Sequence, residues 1–190
     1  MNIPAMNVIG LLWGGWAAYW FVAARSAKQD RRQESPLSRA SHLVPLGFAA
    51  WLLFAGVLPG HFLGERFLPD TPATSWVGVA VVAFGLGFAI WARYVLGRNW
   101  SSVVQVKEDH ELIQSGPYRW VRHPIYTGML LGFAGSAVAL DEWRGIAAVL
   151  LVILAFQLKI RIEEEWMTET FGDGYRRYRA EVRALIPFVL

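Results

Sequence analysis

YTGMLLGFAGSAVAL-DEWRG-IAAVLLVILAFQLKI, residues 126–160, is two apolar arms around one short polar turn. At 1.5 Å per residue, helices over 126–140 and 145–160 reach only ~22–24 Å, short of a ~30 Å hydrocarbon core. The turn Asp141-Glu142-Trp143-Arg144-Gly145 is too compact for a separate domain. The stretch therefore predicts a helical hairpin, packed against other membrane helices and locally thinning the bilayer. Upstream lie three longer apolar stretches, 5–24, 43–63 and 76–97. Each has roughly the 20 residues that a spanning helix needs. The fold class is all-α: an integral membrane protein of about five transmembrane helices, the last two the hairpin, followed by a cytoplasmic C-terminal tail.

Composition points the same way. Of the 190 residues 55% are apolar and 17% charged, against about 25% charged in soluble domains, and mean hydropathy is +0.33. Ten Trp suit membrane interfaces. A net charge of +3 gives no footprint for nucleic acid, and the lack of cysteine excludes disulfides, thiolate metal sites and a Cys nucleophile. The start, Met-Asn-Ile-Pro, lacks the positive region of a signal peptide, so 5–24 is expected to be a retained span. The chain reads as a single membrane domain over 1–190.

Lys and Arg number five in 25–41, one in 61–75, four in 98–124, one in 141–145 and five from 161 onward. That alternation satisfies the positive-inside rule with five crossings, the N-terminus outside and the C-terminus in the cytoplasm. In a bacterium this would be the inner membrane. The charge run in 25–41 reads as a linker near anionic headgroups. Gly10 and Gly14, and Gly128 and Gly132, recur at the spacing that lets membrane helices approach closely.

Polar residues gather in two segments flanking the hairpin. The first holds Gly116-Pro117-Tyr118 and Arg122-His123-Pro124-Ile125-Tyr126-Thr127-Gly128. Pro restricts the backbone and Gly permits turns. Arg122 and His123 offer donors to a carboxylate, and Tyr118 and Tyr126 offer a ring and a hydroxyl. The set suits an amphiphilic ligand with an anionic end; it also suits an interfacial loop reaching toward headgroups. The second holds Glu163-Glu164-Glu165, which oppose the macrodipole at a helix C-terminus and point ~100° apart on a helix, so at most two can face one pocket. If the helix continues past the membrane, they can instead pair with Arg161 or tail arginines. Similar arm lengths place His123 and these acids on one side of the membrane. There is no Gly-x-Gly-x-x-Gly, Walker loop, His-Glu-x-x-His or Gly-x-Ser-x-Gly, and four dispersed His propose no metal site.

Together the segments resemble the isoprenylcysteine carboxyl methyltransferase family, whose small prokaryotic members are related to phospholipid methyltransferases. The resemblance is carried by Gly116-Pro117-Tyr118, by Arg122-His123-Pro124-Ile125-Tyr126-Thr127-Gly128, and by Glu163-Glu164 with Met167, Phe171-Gly172, Tyr175 and Tyr178. It covers about 93–188, and Met167 stands where Leu is commoner. It implies a methyltransferase using S-adenosyl-L-methionine at the cytoplasmic face, with the cofactor site formed by about 99–128 and 159–188. Gln105, His110, Leu112, Gly116, Pro117, Tyr118, Arg122, His123, Tyr126 and Glu163 would line that site. His123 and Tyr126 would meet the cofactor's amino-acid end. Arg161 would orient an anionic acceptor, and Glu164 (or His123) would serve as base for a thiol or amine. The acceptor would be lipophilic or small: a prenyl carboxylate, a lipid amine or a thiol. The resemblance leaves the acceptor, and any oligomeric state, unspecified. Sterol reductases carry a similar Arg-His-Pro-x-Tyr-x-Gly segment and use NADPH, so a reductase is one alternative and a non-catalytic membrane scaffold another.

Overall fold

The computed structural model describes residues 3–25, 34–55, 61–69, 71–97 and 112–186. The described residues form six α-helices: α1 (Ile3–Ala24), α2 (Pro36–Phe54), α3 (Pro72–Leu96), α4 (Pro124–Leu140), α5 (Trp143–Phe171) and α6 (Asp173–Glu181). Local chemistry sets several boundaries. Ser35 and Thr71 each accept a hydrogen bond from a backbone N–H three residues on, and Pro36 and Pro72 follow as first helical residues, where their missing N–H has no cost.

Among the described residues four helices, α1, α2, α3 and α5, are long and apolar enough to cross a membrane. α4, at 17 residues, spans only about 25 Å. It is tolerated because it is the central helix, packing on α1, α2, α3 and α5, so protein rather than lipid surrounds it. The periphery carries large apolar side chains outward, including Leu11, Phe21, Phe48, Trp51 and Phe84, the face expected toward lipid. The hairpin arms are unequal: α5 runs unbroken for 29 residues, well beyond the expected 145–160, to Gly172 at φ 53°. Glu163–Glu165 are therefore helical, on a projection beyond the apolar stretch.

The α3–α4 seam is the tightest in the molecule, and its glycines are not those the sequence singled out. Gly10 and Gly14 have nothing within 4 Å of where a Cβ would stand, so that pair packs against nothing among the described residues. Gly128 does sit in a seam, but its counterpart is Gly85 across α3, and Gly78 faces Gly135 in the same way. A Cβ at Gly85 would stand 2.6 Å from the Gly128 carbonyl oxygen, and one at Gly78 2.6 Å from that of Gly135. Gly132 instead faces Trp13 and Leu86. Trp13 also donates its indole N–H to Ser136 Oγ at 3.0 Å, tying α1 to α4.

At the far end from the candidate site, Asp141 takes the left-handed conformation (φ 58°) that reverses the chain between α4 and α5. Its carboxylate accepts from the Leu68 N–H at 2.6 Å. Buried Arg144 donates to the Leu52 carbonyl at 3.1 Å and to that of Ala55, satisfying acceptors that the end of α2 leaves over. The polar turn is thus the cap of a neighbouring helix.

Candidate active site

His123 immediately precedes Pro124, the first residue of α4, and its side chain makes no capping bond. The imidazole turns instead toward α5. Its Nε2 lies 3.2 Å from Glu164 Oε1 and its Nδ1 3.5 Å from Glu163 Oε2. One helical turn on, Tyr126 donates its hydroxyl to Glu163 Oε1 at 2.5 Å, and its ring stacks on Phe156 of α5 at 4.8 Å between centroids. Arg122 donates through Nε and Nη2 to Glu164 Oε1 at 2.8 and 2.7 Å. Arg179 of α6 approaches the other oxygen of Glu164 at 3.2 Å.

The chain after α6 straps this cluster. The backbone N–H groups of Arg122 and His123 donate to the carbonyls of Arg183 and Ala184 at 2.8 and 3.0 Å. Thr127 Oγ1 donates to the Leu185 carbonyl at 2.8 Å, and Arg122 Nη1 donates to the carbonyls of Arg179, at 3.2 Å, and Val182. The two adjacent carboxylates consequently differ. Glu164 is 7% exposed, with both oxygens taken. Glu163 is 24% exposed and among the described residues hydrogen-bonds or ion-pairs only with Tyr126 and His123, so a carboxylate with about four lone-pair sites keeps capacity for another donor.

Arg122, His123, Tyr126, Glu163 and Glu164 thus meet. Gly116, Pro117 and Tyr118 form a separate turn against α3: Gly116 adopts φ 59°, Pro117 is buried, and the Tyr118 hydroxyl donates to the Ala92 carbonyl at 3.4 Å. Tyr178 donates to the Tyr118 carbonyl at 2.5 Å, joining this turn to α6. Arg161 stands on the exposed flank of α5, where it lines an open cleft of about 470 Å³ with Glu164, Glu165, Thr168, Glu169 and Arg179. Leu112 is half-buried. Gln105 and His110 lie outside the described residues. Sequence reasoning missed the strap, because nothing local indicates that a tail returns to a segment sixty residues earlier; the pairing of an acid with a tail arginine, which it offered, is the contact of Glu164 with Arg179.

Burial alone would push the His123 imidazole toward its neutral form, but hydrogen bonds and charge from Glu163 and Glu164 outweigh it and hold its pKa above the ordinary 6.5. A raised value means that this contribution to folding is complete below the unfolded value and is lost as pH rises through the folded one. The thermal midpoint in detergent is therefore expected to fall as pH climbs above about 6.5. A His123→Gln variant should flatten that slope, and an unchanged slope would contradict it. Burial also lifts the phenols of Tyr175 and Tyr178 well above the ordinary tyrosine range, Glu164 adding to the effect, so both stay neutral.

An intramembrane helical bundle with a charged site at one end matches a recognised class. The phospholipid methyltransferase family model fits residues 73–174, more than half of the chain. Protein-S-isoprenylcysteine O-methyltransferase of Schizosaccharomyces pombe is 32% identical over 178 residues, covering 84% of this chain and 75% of the relative. The human protein of the same name is 27% identical over 92% of this chain and 61% of its own length. Among solved structures, the eukaryotic intramembrane Ras methyltransferase, isoprenylcysteine carboxyl methyltransferase, superposes with a TM-score of 0.57 at 27% identity, covering 84% of this chain and 55% of that one. The chain belongs to the isoprenylcysteine carboxyl methyltransferase family. It spans about three fifths of the length of its mammalian relatives.

Proposed function

We propose that this protein is an S-adenosylmethionine-dependent methyltransferase acting at the membrane on a lipophilic acceptor, with its site and C-terminus facing the cytoplasm. The observation that carries the reading is the division of labour between the two carboxylates, in a chain of this family. Glu164 is consumed in holding Arg122 and His123, whereas Glu163 is steered by Tyr126 and left able to receive an ammonium. That donor set fits the cofactor: a carboxylate with spare acceptor capacity suits an amino-acid ammonium, and nearby Arg and His cations suit its carboxylate. Gln105, His110, Leu112, Gly116 and Pro117 complete the proposed lining, Tyr118 holding the turn against α3. The orientation rests on the alternation of Lys and Arg.

S-adenosylmethionine would supply a methyl group already activated by a sulfonium, so the protein's task is alignment and exclusion of water, worth up to ~7–11 kcal/mol in favourable cases. Arg122, Glu164 and the strap fix His123; Tyr126 fixes Glu163. With Glu164 engaged by Arg122, His123 and Arg179 and Glu163 assigned to the cofactor's ammonium, the cluster leaves no carboxylate to act as base, which favours an acceptor already ionised at neutral pH over a thiol or amine.

The test is calorimetric titration of S-adenosylhomocysteine into the detergent-purified protein, beside NADPH and a Glu163→Gln variant. Saturable binding is expected, weakened about tenfold or more in the variant, about 1.4 kcal/mol. Silence from a folded, monodisperse sample would end the methyltransferase reading, and NADPH binding in its place would favour the reductase.

A further inference from the structure

One cation beside the site lies over a ring and not against a carboxylate. Lys159 lies one helical turn before Glu163 on α5, so the two share a face. Its ammonium sits 5.7 Å from the centroid of the Tyr126 ring, and it forms no ion pair within 4 Å among the described residues. Within the cluster Arg122 and Arg179 pair with Glu164, and His123 with both glutamates. A ring face compensates a half-buried ammonium only in part.

A lysine this close to a lipid boundary would ordinarily extend toward headgroups. Lys159 does not: it lies over a ring whose hydroxyl holds Glu163, and it interacts electrostatically with both Glu163 and His42. His42 is on α2, which packs along α5, and is 4% exposed. Its Nδ1 is 3.6 Å from Glu34 Oε1, and that nitrogen and Glu34 Oε2 are buried without a hydrogen-bond partner among the described residues. Unmatched buried polar atoms of this kind ask for a further ligand. The α2–α5 seam therefore presents an unmatched ammonium and an underused imidazole directly beside the proposed cofactor carboxylate.

We propose that Lys159, with His42 beside it on α2, positions the acceptor, its ammonium receiving the carboxylate at the acceptor's polar end. This rests on the methyltransferase reading and extends it to a residue that selects the acceptor. A carboxylate attracted there lies next to Tyr126 and Glu163, and an amine is repelled by the same charge. Lys159 is a positioning and specificity residue; no proton needs to pass through it.

The test measures binding to the detergent-purified protein saturated with S-adenosylhomocysteine. The probes are S-farnesylcysteine, carrying the S-isoprenylcysteine group of the relatives' names, and its carboxamide, of the same shape without the charge. Unmodified protein should bind the carboxylate at least tenfold more tightly than the amide. Lys159→Met should erase that ratio while S-adenosylhomocysteine affinity stays within twofold, and Lys159→Arg should restore most of it. The proposal is overturned if unmodified protein does not prefer the carboxylate, if it binds neither probe, or if Lys159→Met keeps the ratio. Equal weakening of both probes and S-adenosylhomocysteine would show a purely structural lysine. Failure of S-adenosylhomocysteine to bind the unmodified protein is a separate result, and it strikes the methyltransferase reading itself.

Discussion

An Arg122→Leu variant is expected to lose about 3 kcal/mol of folding stability, the lower end of the range for breaking a buried ion pair. The guanidinium joins three partners through four hydrogen bonds: Glu164 through two N–H groups, and the carbonyls of Arg179 and Val182. Removing it leaves Glu164, 7% exposed, with only Arg179 and His123, and takes two donors from the strap. The lower end applies because those two partners remain. A sharper expectation concerns the double variant: Arg122→Leu with Glu164→Leu should be less destabilised than Arg122→Leu alone, since it leaves no buried carboxylate uncompensated. Both are measured by denaturation in mild detergent, followed by tryptophan fluorescence. A single variant within about 0.5 kcal/mol of the unmodified protein would show that the Arg122 guanidinium contributes nothing measurable to folding.

Gly128→Val should be comparably damaging through packing alone. A Cβ at Gly128 would lie 2.7 Å from the Ala89 nitrogen and 2.8 Å from the Ala89 Cβ. These are atoms of a helix backbone and its first carbon, so no flexible side chain can give way. The helices must separate or the chain must strain, for about 1–3 kcal/mol or more, and valine adds two methyls to the same space. Gly85→Val should behave alike, because Gly85 and Gly128 oppose each other. Gly10→Ala and Gly14→Ala are the matched controls. Nothing lies within 4 Å of either added carbon, so these changes should be neutral or stabilising by up to about 1 kcal/mol through helix propensity. If all four variants denature alike, close approach is not what the seam glycines provide.

The seam also shows what a sequence reader can and cannot see. The spacing that links Gly10 to Gly14 is four, the familiar one, yet it lies on an open face. The spacing that matters is seven, Gly78 to Gly85 and Gly128 to Gly135, on two antiparallel helices fifty residues apart. Only pairing the helices gives it meaning. The hairpin and the apolar stretches were readable because burial in lipid imposes length and composition directly. His123, Tyr126, Glu163 and Glu164 were readable as a group because the hairpin brings its two ends together. The distinction between Glu163 and Glu164 was not, since it depends on where α6 and the strap place Arg179 and the Val182 carbonyl. Nor was the exposed position of Arg161, which lines the open cleft beside Glu164 and stands apart from Arg122, His123 and Tyr126, because α5 runs on as a helix past the expected 160.

The strap has a bearing on biosynthesis. Ribosomes deliver α1 through α5 first, and those helices can enter the bilayer and pack while the remainder is still being made. Residues 179–185, which supply Arg179 and the carbonyls that hold Arg122, His123 and Thr127, emerge only afterwards. A nascent chain stalled before them would be inserted and largely helical, yet its site would be unfastened. The cluster around His123 would then be completed only once residues 179–185 have been made, rather than at insertion.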